Sequence, residues 1–276
     1  MKSIVDSYYS SEYSTIKYDS YFHTYQTLLD KYIGSDITFV EIGVFNGGSL
    51  FMWRDFFGER ARIIGIDLNP DAKYLEKQGF EIYIGSQSDP NFWSEFFKSV
   101  GKVDIILDDG GHSNLQQLIT LRSCVENIND GGLLICEDVH TSYFTEFGNP
   151  SRFSFVNYSK NIVDSINSRA NGLKSLNDEY HNIVFSIEFF ESIIAYKINR
   201  KKSFKAKVTD NGGKKIDAKE FRYNTRIKNS LFSLKVDISN QYGNTLIKRL
   251  KIKMIDKILF LLSYFECVKN YKYWLK

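Results

Sequence analysis

Cysteine is scarce in this chain of 276 residues. Cys124, Cys136 and Cys267 are too few and too widely spaced for a disulfide framework or a zinc site. That scarcity points to a reducing compartment, and a cytoplasmic location is the expectation. The first thirty residues lack the basic-then-apolar order of a secretory signal and are rich in tyrosine and serine instead. No apolar run near the C-terminus approaches the ~20 residues that a membrane span needs. The longest, Ile258 to Phe265, is broken by Ser263. Internal repeats are missing as well.

The net charge of +3 conceals a steep asymmetry. Residues 1–199 hold 16 basic and 27 acidic side chains, whereas residues 200–276 hold 20 and 6. An acidic body with a basic tail predicts two units with different tasks: a domain over 1–199 and a connector with an amphipathic helical tail over 200–276. Within the first unit, 1–35 reads as a helical segment, with Tyr21, Tyr25, Leu28, Leu29 and Tyr32 at helical spacing.

Short apolar runs then alternate with helical patterns. Strands are predicted at Thr38–Ile42, Arg62–Ile66, Glu81–Ile84, 103–107 and 132–136. Helices are predicted at Ser49–Phe57, Asp71–Gln78, Asn91–Val100 and Asn114–Asn127, with Phe92, Phe96 and Phe97 turned to the sheet. This alternation defines an α/β fold, a doubly wound and mostly parallel sheet. Ile183–Phe189 and Ser192–Ile198 are separated only by Phe190-Glu191, too little chain for a helical crossover, so they form a closing antiparallel hairpin. The polar and aromatic stretch 141–180 stands as an insertion at the substrate edge.

Ligands of such sheets bind outside the carboxyl ends of the strands. Three turns fall there. Val40-Glu41-Ile42-Gly43-Val44-Phe45-Asn46-Gly47-Gly48-Ser49 is a strand running through glycines into a helix, and its spacing does not fit the Gly-x-Gly-x-x-Gly of dinucleotide sites. Glu41 beside it suits a cationic ligand, and Asp67 at the next strand end suits ribose hydroxyls. Alone, such a turn is as readily structural. Asp108-Asp109-Gly110-Gly111-His112 and Glu137-Asp138-Val139-His140 each follow a buried run, and together they look like a metal site beside a general base.

These residues resemble the class I S-adenosylmethionine-dependent methyltransferases. More narrowly, Glu41–Trp53, Gly65–Asp67, Gly85–Asp89, Asp108–His112 and Glu137–Tyr143 are similar to metal-dependent sugar O-methyltransferases, a group with macrolide-sugar and rhamnosyl O-methyltransferases and cephalosporin-hydroxylase-like proteins. The resemblance spans about residues 17–197, departs where Ser86 replaces a common Asp, and excludes the basic tail. It implies a seven-stranded sheet and S-adenosylmethionine held by Glu41, Gly43, Gly47, Asp67, Gln87, Ser88 and Asp108. It also implies Mg²⁺ on Asp109, Glu137 and Asp138, with His112 as general base. His140 and Tyr143 are candidate substrate contacts.

The chemistry agrees with that set. A sugar hydroxyl is a poor nucleophile, so a hard cation on its oxygen and a base near neutral pKa are what methylation requires. The expected function is therefore Mg²⁺-dependent O-methylation of a sugar hydroxyl in bacterial surface polysaccharide or capsule synthesis, on a nucleotide-linked, lipid-linked or polymeric acceptor. Natural-product (macrolide) sugars or other diols are the alternative, as is a cofactor-binding subunit without turnover. A nicotinamide oxidoreductase is disfavoured by the glycine spacing. In the tail, Ile247, Leu250, Met254, Ile258, Leu261, Phe265 and Val268 step by three and four among lysines. A 244–276 helix on the inner face of a membrane, a stripe packed on the body, and a homo-oligomer contact all remain open; nucleic acid is disfavoured by the acidic body.

Overall fold

Seven strands assemble into one sheet ordered β3-β2-β1-β4-β5-β7-β6 in a computed structural model. It describes residues 3–148, 151–176, 178–214, 226–241, 243 and 245–274. The strands are β1 (Thr38–Ile42), β2 (Arg62–Asp67), β3 (Glu81–Ile84), β4 (Val103–Asp108), β5 (Ile128–Cys136), β6 (Val184–Phe189) and β7 (Ile194–Ile198). β1 to β5 pair in parallel, and β7 pairs antiparallel with both β5 and β6. The predicted parallel sheet with a closing hairpin is the observed one.

Alternation along β1 shows how the two faces are filled. Phe39 packs in one apolar layer with Tyr21, Tyr25, Leu50, Trp53 and Phe57. Val40 packs in the other with Trp93, Phe96, Leu121 and Phe155. Successive residues of a strand point to opposite faces, so a strand buried on both sides is mostly apolar, and the one buried charge of β1, Glu41, is met by hydrogen bonds. The first layer is supplied by α1 (Ile4–Tyr9), α2 (Asp19–Leu29) and α3 (Gly48–Phe57); the second by α4 (Pro90–Val100), α5 (Asn114–Cys124) and α6 (Phe155–Asn167).

Three expectations are corrected. The segment Pro70–Gln78 forms 3₁₀ turns rather than an α-helix: only Ala72 and Leu75 are buried, and Asn69 caps it by accepting from the Asp71 amide at 3.0 Å. In α4 the fully buried rings are Trp93 and Phe96, with Phe92 and Phe97 half-buried to either side. Residues three apart share one helix face, and Phe92, Phe96 and Phe97 do pack on the sheet's core as expected, but the centre of that face is Trp93, which the expected set left out. β5 starts at Ile128, earlier than the apolar run suggested.

The chain divides into two compact units, Met1–Thr209 and Asp210–Lys276. Among its described residues the second holds two helices, α7 (Arg226–Asn240) and α8 (Leu246–Trp274), of which α7 has no counterpart in the sequence reading. Ion pairs Lys228–Glu266 and Lys235–Asp256 set the two antiparallel. On α8, Ile255 is buried, with Ile252 and Leu259 half-buried on the same face. The stripe Ile247, Leu250, Met254, Ile258, Leu261 and Phe265 is exposed instead. Lys215 of the basic connector, and Asn244, Leu275 and Lys276 of the expected helix, lie outside the described residues. Among those residues, no helix is long and apolar enough to cross a membrane.

Candidate active site

The strand order reverses between β1 and β4, so the loops leaving these strands diverge and open a crevice at their carboxyl ends. A cavity of about 610 Å³ occupies it, walled by the β1 loop (Gly43–Asn46), the β2 end (Asp67–Asn69), Gln87, the β4 loop (Asp109–His112), Asp138 and the N-terminal segment Ser14–Ile16. A volume of this order suits a nucleoside-sized ligand. A smaller cavity of about 250 Å³ adjoins it, sharing Ile16, Asp109 and Asp138 and adding Lys17, Tyr18, Tyr21 and Glu137.

Gly43 sits at φ +83°, and a Cβ there would lie 2.2 Å from the Asp109 carbonyl oxygen. No side chain fits, so the β1 and β4 loops meet backbone to backbone. Gly47 (φ +81°) opens α3, and a Cβ there would strike the Leu75 side chain at 2.4 Å. Asp67 fixes the same loop: its carboxylate accepts from the amides of Val44 (3.0 Å), Phe45 (3.2 Å) and Asn69 (2.8 Å). Phe45 is held at φ +45°, and its ring is exposed at the cavity mouth.

Behind the wall lie the residues that shape it. Glu41 is fully buried, accepting from Ser49 Oγ at 2.6 Å and Trp53 Nε1 at 3.2 Å. Burial pushes its carboxyl up to about 7, with the Lys17 charge opposing the rise. It therefore braces α3 against β1 and does not line the cavity. Asp108 is also buried, and accepts from Gln87 Nε2 at 2.9 and 3.1 Å. Gln87 Oε1 in turn accepts from the Gly111 amide at 2.8 Å. Gln87 thus reaches the cavity wall but spends its amide on the β4 loop. Ser88 and Tyr143 do not line either cavity, and Tyr143 is exposed.

The catalytic-looking groups stand on the next residues. Asp109, His112 and Asp138 each offer an atom within 4.8 Å of the others. His112 Nε2 lies 3.3 Å from Asp138 Oδ2, while its buried Nδ1 has no hydrogen-bond partner among the described residues. Both His112 (φ +57°) and Asp138 (φ +53°) adopt left-handed backbone, which is unfavourable for residues with a Cβ and recurs where a side chain must be aimed at a site. Asp109 and Asp138 face the cavities with partly exposed oxygens, a donor set that suits a hard divalent cation such as Mg²⁺. Glu137 is buried, and both of its oxygens are engaged: Oε2 by Lys17 Nζ at 2.9 Å, Oε1 by the Tyr25 hydroxyl at 2.5 Å. Burial pushes its carboxyl up to about 8. The sequence-predicted triad is therefore brought together: Asp109 and Asp138 keep partly exposed carboxylates, although Lys17 holds Asp109 Oδ2 and Tyr21 donates to Asp138, whereas Glu137 is buried with both oxygens engaged. His140 lies at the edge, its Nδ1 3.8 Å from Asp138 Oδ1 and its ring packed on Tyr18 and Phe144.

Three residues escaped the sequence reading as site residues. Lys17 bridges Asp109 and Glu137, Tyr25 donates to Glu137, and Tyr21 donates to Asp138. The i, i+4 spacing of Tyr21 and Tyr25 was visible as one helix face; their hydroxyl ends, reaching past that apolar face, were the overlooked signal. Nothing marked Lys17.

Residues 40–139 match the family model described as a methyltransferase domain, and the fold is the class I S-adenosylmethionine-dependent methyltransferase fold. The MycE methyltransferase of the mycinamycin biosynthetic pathway, solved with Mg, SAH and mycinamycin VI, superposes at a TM-score of 0.63 and 22% identity, covering 73% of this chain and 54% of that one. The demethylmacrocin O-methyltransferase of Streptomyces fradiae is 30% identical over 57% of this chain and 40% of its own length. An 8-demethyl-8-alpha-L-rhamnosyl tetracenomycin-C 2'-O-methyltransferase of Streptomyces olivaceus is 30% identical over 52% of this chain and 41% of its own. The chain thus spans about two fifths of the length of these relatives.

Proposed function

We propose that this protein is an S-adenosylmethionine-dependent O-methyltransferase acting on a hydroxyl of a sugar, with Mg²⁺ as its metal. One observation carries the reading: the Asp109–His112–Asp138 cluster forms one wall of the same cavity that the glycines of the β1 loop and Asp67 line. A methyl donor in the larger cavity and an acceptor oxygen in the smaller one would meet across Asp109. Asp67 and the β1 loop hold the donor. Asp109 and Asp138, joined by Glu137, would hold Mg²⁺, which lowers the pKa of a hydroxyl bound to it. His112 takes the proton, and Asp138 beside its Nε2 stabilises the imidazolium that results. Transfer of the methyl group is a direct displacement, so what remains for the protein is alignment.

The names of the relatives bear on the acceptor. They concern O-methylation of demethylmacrocin and of a rhamnosyl tetracenomycin, which supports a glycosylated natural product over the surface polysaccharide expected from the tail. The test is calorimetric titration of S-adenosylmethionine and Mg²⁺, followed by methyl transfer to rhamnosylated polyketides, nucleotide sugars and capsular polysaccharide. Mg²⁺-dependent transfer to the first class, lost in Asp109→Ala, is the expected result. Cofactor binding with no Mg²⁺ response and no transfer to any sugar would overturn the proposal.

A further inference from the structure

Lys17 stands where an ammonium has no ordinary reason to be. Its side chain is 2% exposed, and its Nζ lies 2.5 Å from Asp109 Oδ2, 2.9 Å from Glu137 Oε2 and 3.8 Å from Glu41 Oε1. Burying an ammonium is strongly unfavourable unless it is paired. Here burial works against the charge, but Asp109, Glu137, Tyr25 and Glu41 together hold its pKa well above the usual lysine value. Four carboxylates, counting Asp138, crowd this corner of the site, and Lys17 is the cation that sits among them.

The segment that delivers it is tied down elsewhere. Ser11 Oγ donates to the Gly48 carbonyl at 2.8 Å, and Tyr13 stacks on Phe51 with ring centroids 4.8 Å apart. A Cβ on Gly48 would lie 2.3 Å from the Tyr13 carbonyl oxygen, so the segment lies directly on the start of α3. From that anchor, Ser14 to Ile16 line the larger cavity and Ile16 to Tyr18 the smaller. Lys17 therefore enters the acidic cluster from a fixed strap, with only its own side chain free to leave.

Resting on the metal reading above, we propose that Lys17 is a built-in competitor for the cation: its ammonium neutralises Asp109 and Glu137 until a divalent ion displaces it. The two cations need the same Asp109 and Glu137 oxygens, so they exclude each other there. Displacement frees Glu137 to join Asp109 and Asp138, and releases the Lys17 ammonium from them into the open part of the smaller cavity that it already lines.

The test uses the full chain and Mg²⁺ alone. Lys17→Met keeps the side-chain length and removes the competitor, and it is expected to bind Mg²⁺ about tenfold or more tightly than wild type. Its melting temperature should rise steeply with Mg²⁺, while Lys17→Arg, which keeps the charge, stays weak. Lysine acylation of the wild type, read by mass spectrometry, needs no variant to fold: Lys17 is expected to be protected without Mg²⁺ and modified at saturating Mg²⁺. Unchanged Mg²⁺ affinity in Lys17→Met, or a Lys17 that stays protected in the Mg²⁺-bound wild type, would overturn this inference and leave the proposed function standing. Absence of Mg²⁺ binding in wild type and both variants would overturn the metal reading itself, and this inference with it.

Discussion

The two acidic turns at the carboxyl ends of β4 and β5 follow one plan and differ in the partners of their buried acids. In each, the first carboxylate is buried (Asp108 and Glu137 are both 1% exposed), the second faces the cavities (Asp109 and Asp138), and a histidine follows. The strands hold them in register, Asp108 opposite Cys136, with the Glu137 amide donating to the Asp108 carbonyl at 2.9 Å. The buried acids part company in what satisfies them. Asp108 is met by the neutral amide of Gln87 and the Gly110 amide, all close in the same half of the sheet. Glu137 is met by Lys17 and Tyr25, from an N-terminal segment more than a hundred residues away in sequence. A carboxylate wrapped in neutral local donors is a structural member. One balanced by a single long cation would be freed if that cation moved, and that is the property the proposed metal ligand needs.

The sharpest way to break the comparison is at the histidines. His112→Gln is expected to lower kcat about 10²–10⁴-fold, the usual contribution of a general base, with S-adenosylmethionine affinity retained. His140→Gln should change kcat by less than about tenfold. Equal losses in steady-state assays would mean that the two turns share the base. Next come the buried acids. Glu137→Gln should weaken Mg²⁺ binding about 10–100-fold. Asp108→Asn should leave Mg²⁺ binding intact and lower stability by about 1–3 kcal/mol in denaturant titrations, since Gln87 would then face an amide it cannot fully satisfy. Matching Mg²⁺ defects in both variants would refute the division of roles.

The smallest effect concerns pH. The folded-state carboxyl of Glu41 is raised to about 7 from an ordinary 4.5, because burial disfavours its charge. The folded state therefore holds the proton more tightly than the unfolded chain. Its stabilising contribution is complete below the ordinary value and is lost as pH rises through about 7. Wild type should accordingly lose melting temperature relative to Glu41→Gln between about pH 5 and pH 8. A constant difference across that range would show that Glu41 stays ionised beside Lys17.

Much of this was legible because it is local. β1 and β3 have the bounds that their apolar runs predicted, and the hairpin followed from the length of a two-residue connection. Asp109, His112 and Asp138 converge because the sheet places consecutive strand ends side by side, so spacing within each turn sufficed. What escaped depends on distant chain. Glu41 reads as a ligand residue from its motif, yet Ser49 and Trp53 claim it from one turn and two turns along α3. Lys17 is a single lysine in a polar stretch, and only the tertiary fold gives it three carboxylates. The 3₁₀ form of Pro70–Gln78 and the exposed stripe of α8 went unseen for a related reason: periodicity reports which residues share a face, not what that face meets.

The contact at Gly43 has a consequence for how such a protein could diversify. Where the β1 loop touches the Asp109 carbonyl, no side chain intervenes, so the spacing between the proposed berths of donor and cation is written in main-chain atoms. Substitution cannot lengthen or shorten it without breaking the sheet edge. Variation is left to the parts that overhang this fixed gauge, the N-terminal strap and the insertion after β5. Under the proposed function, a lineage could exchange one acceptor for another by rewriting those two borders, while the distance the methyl group would travel stays the same.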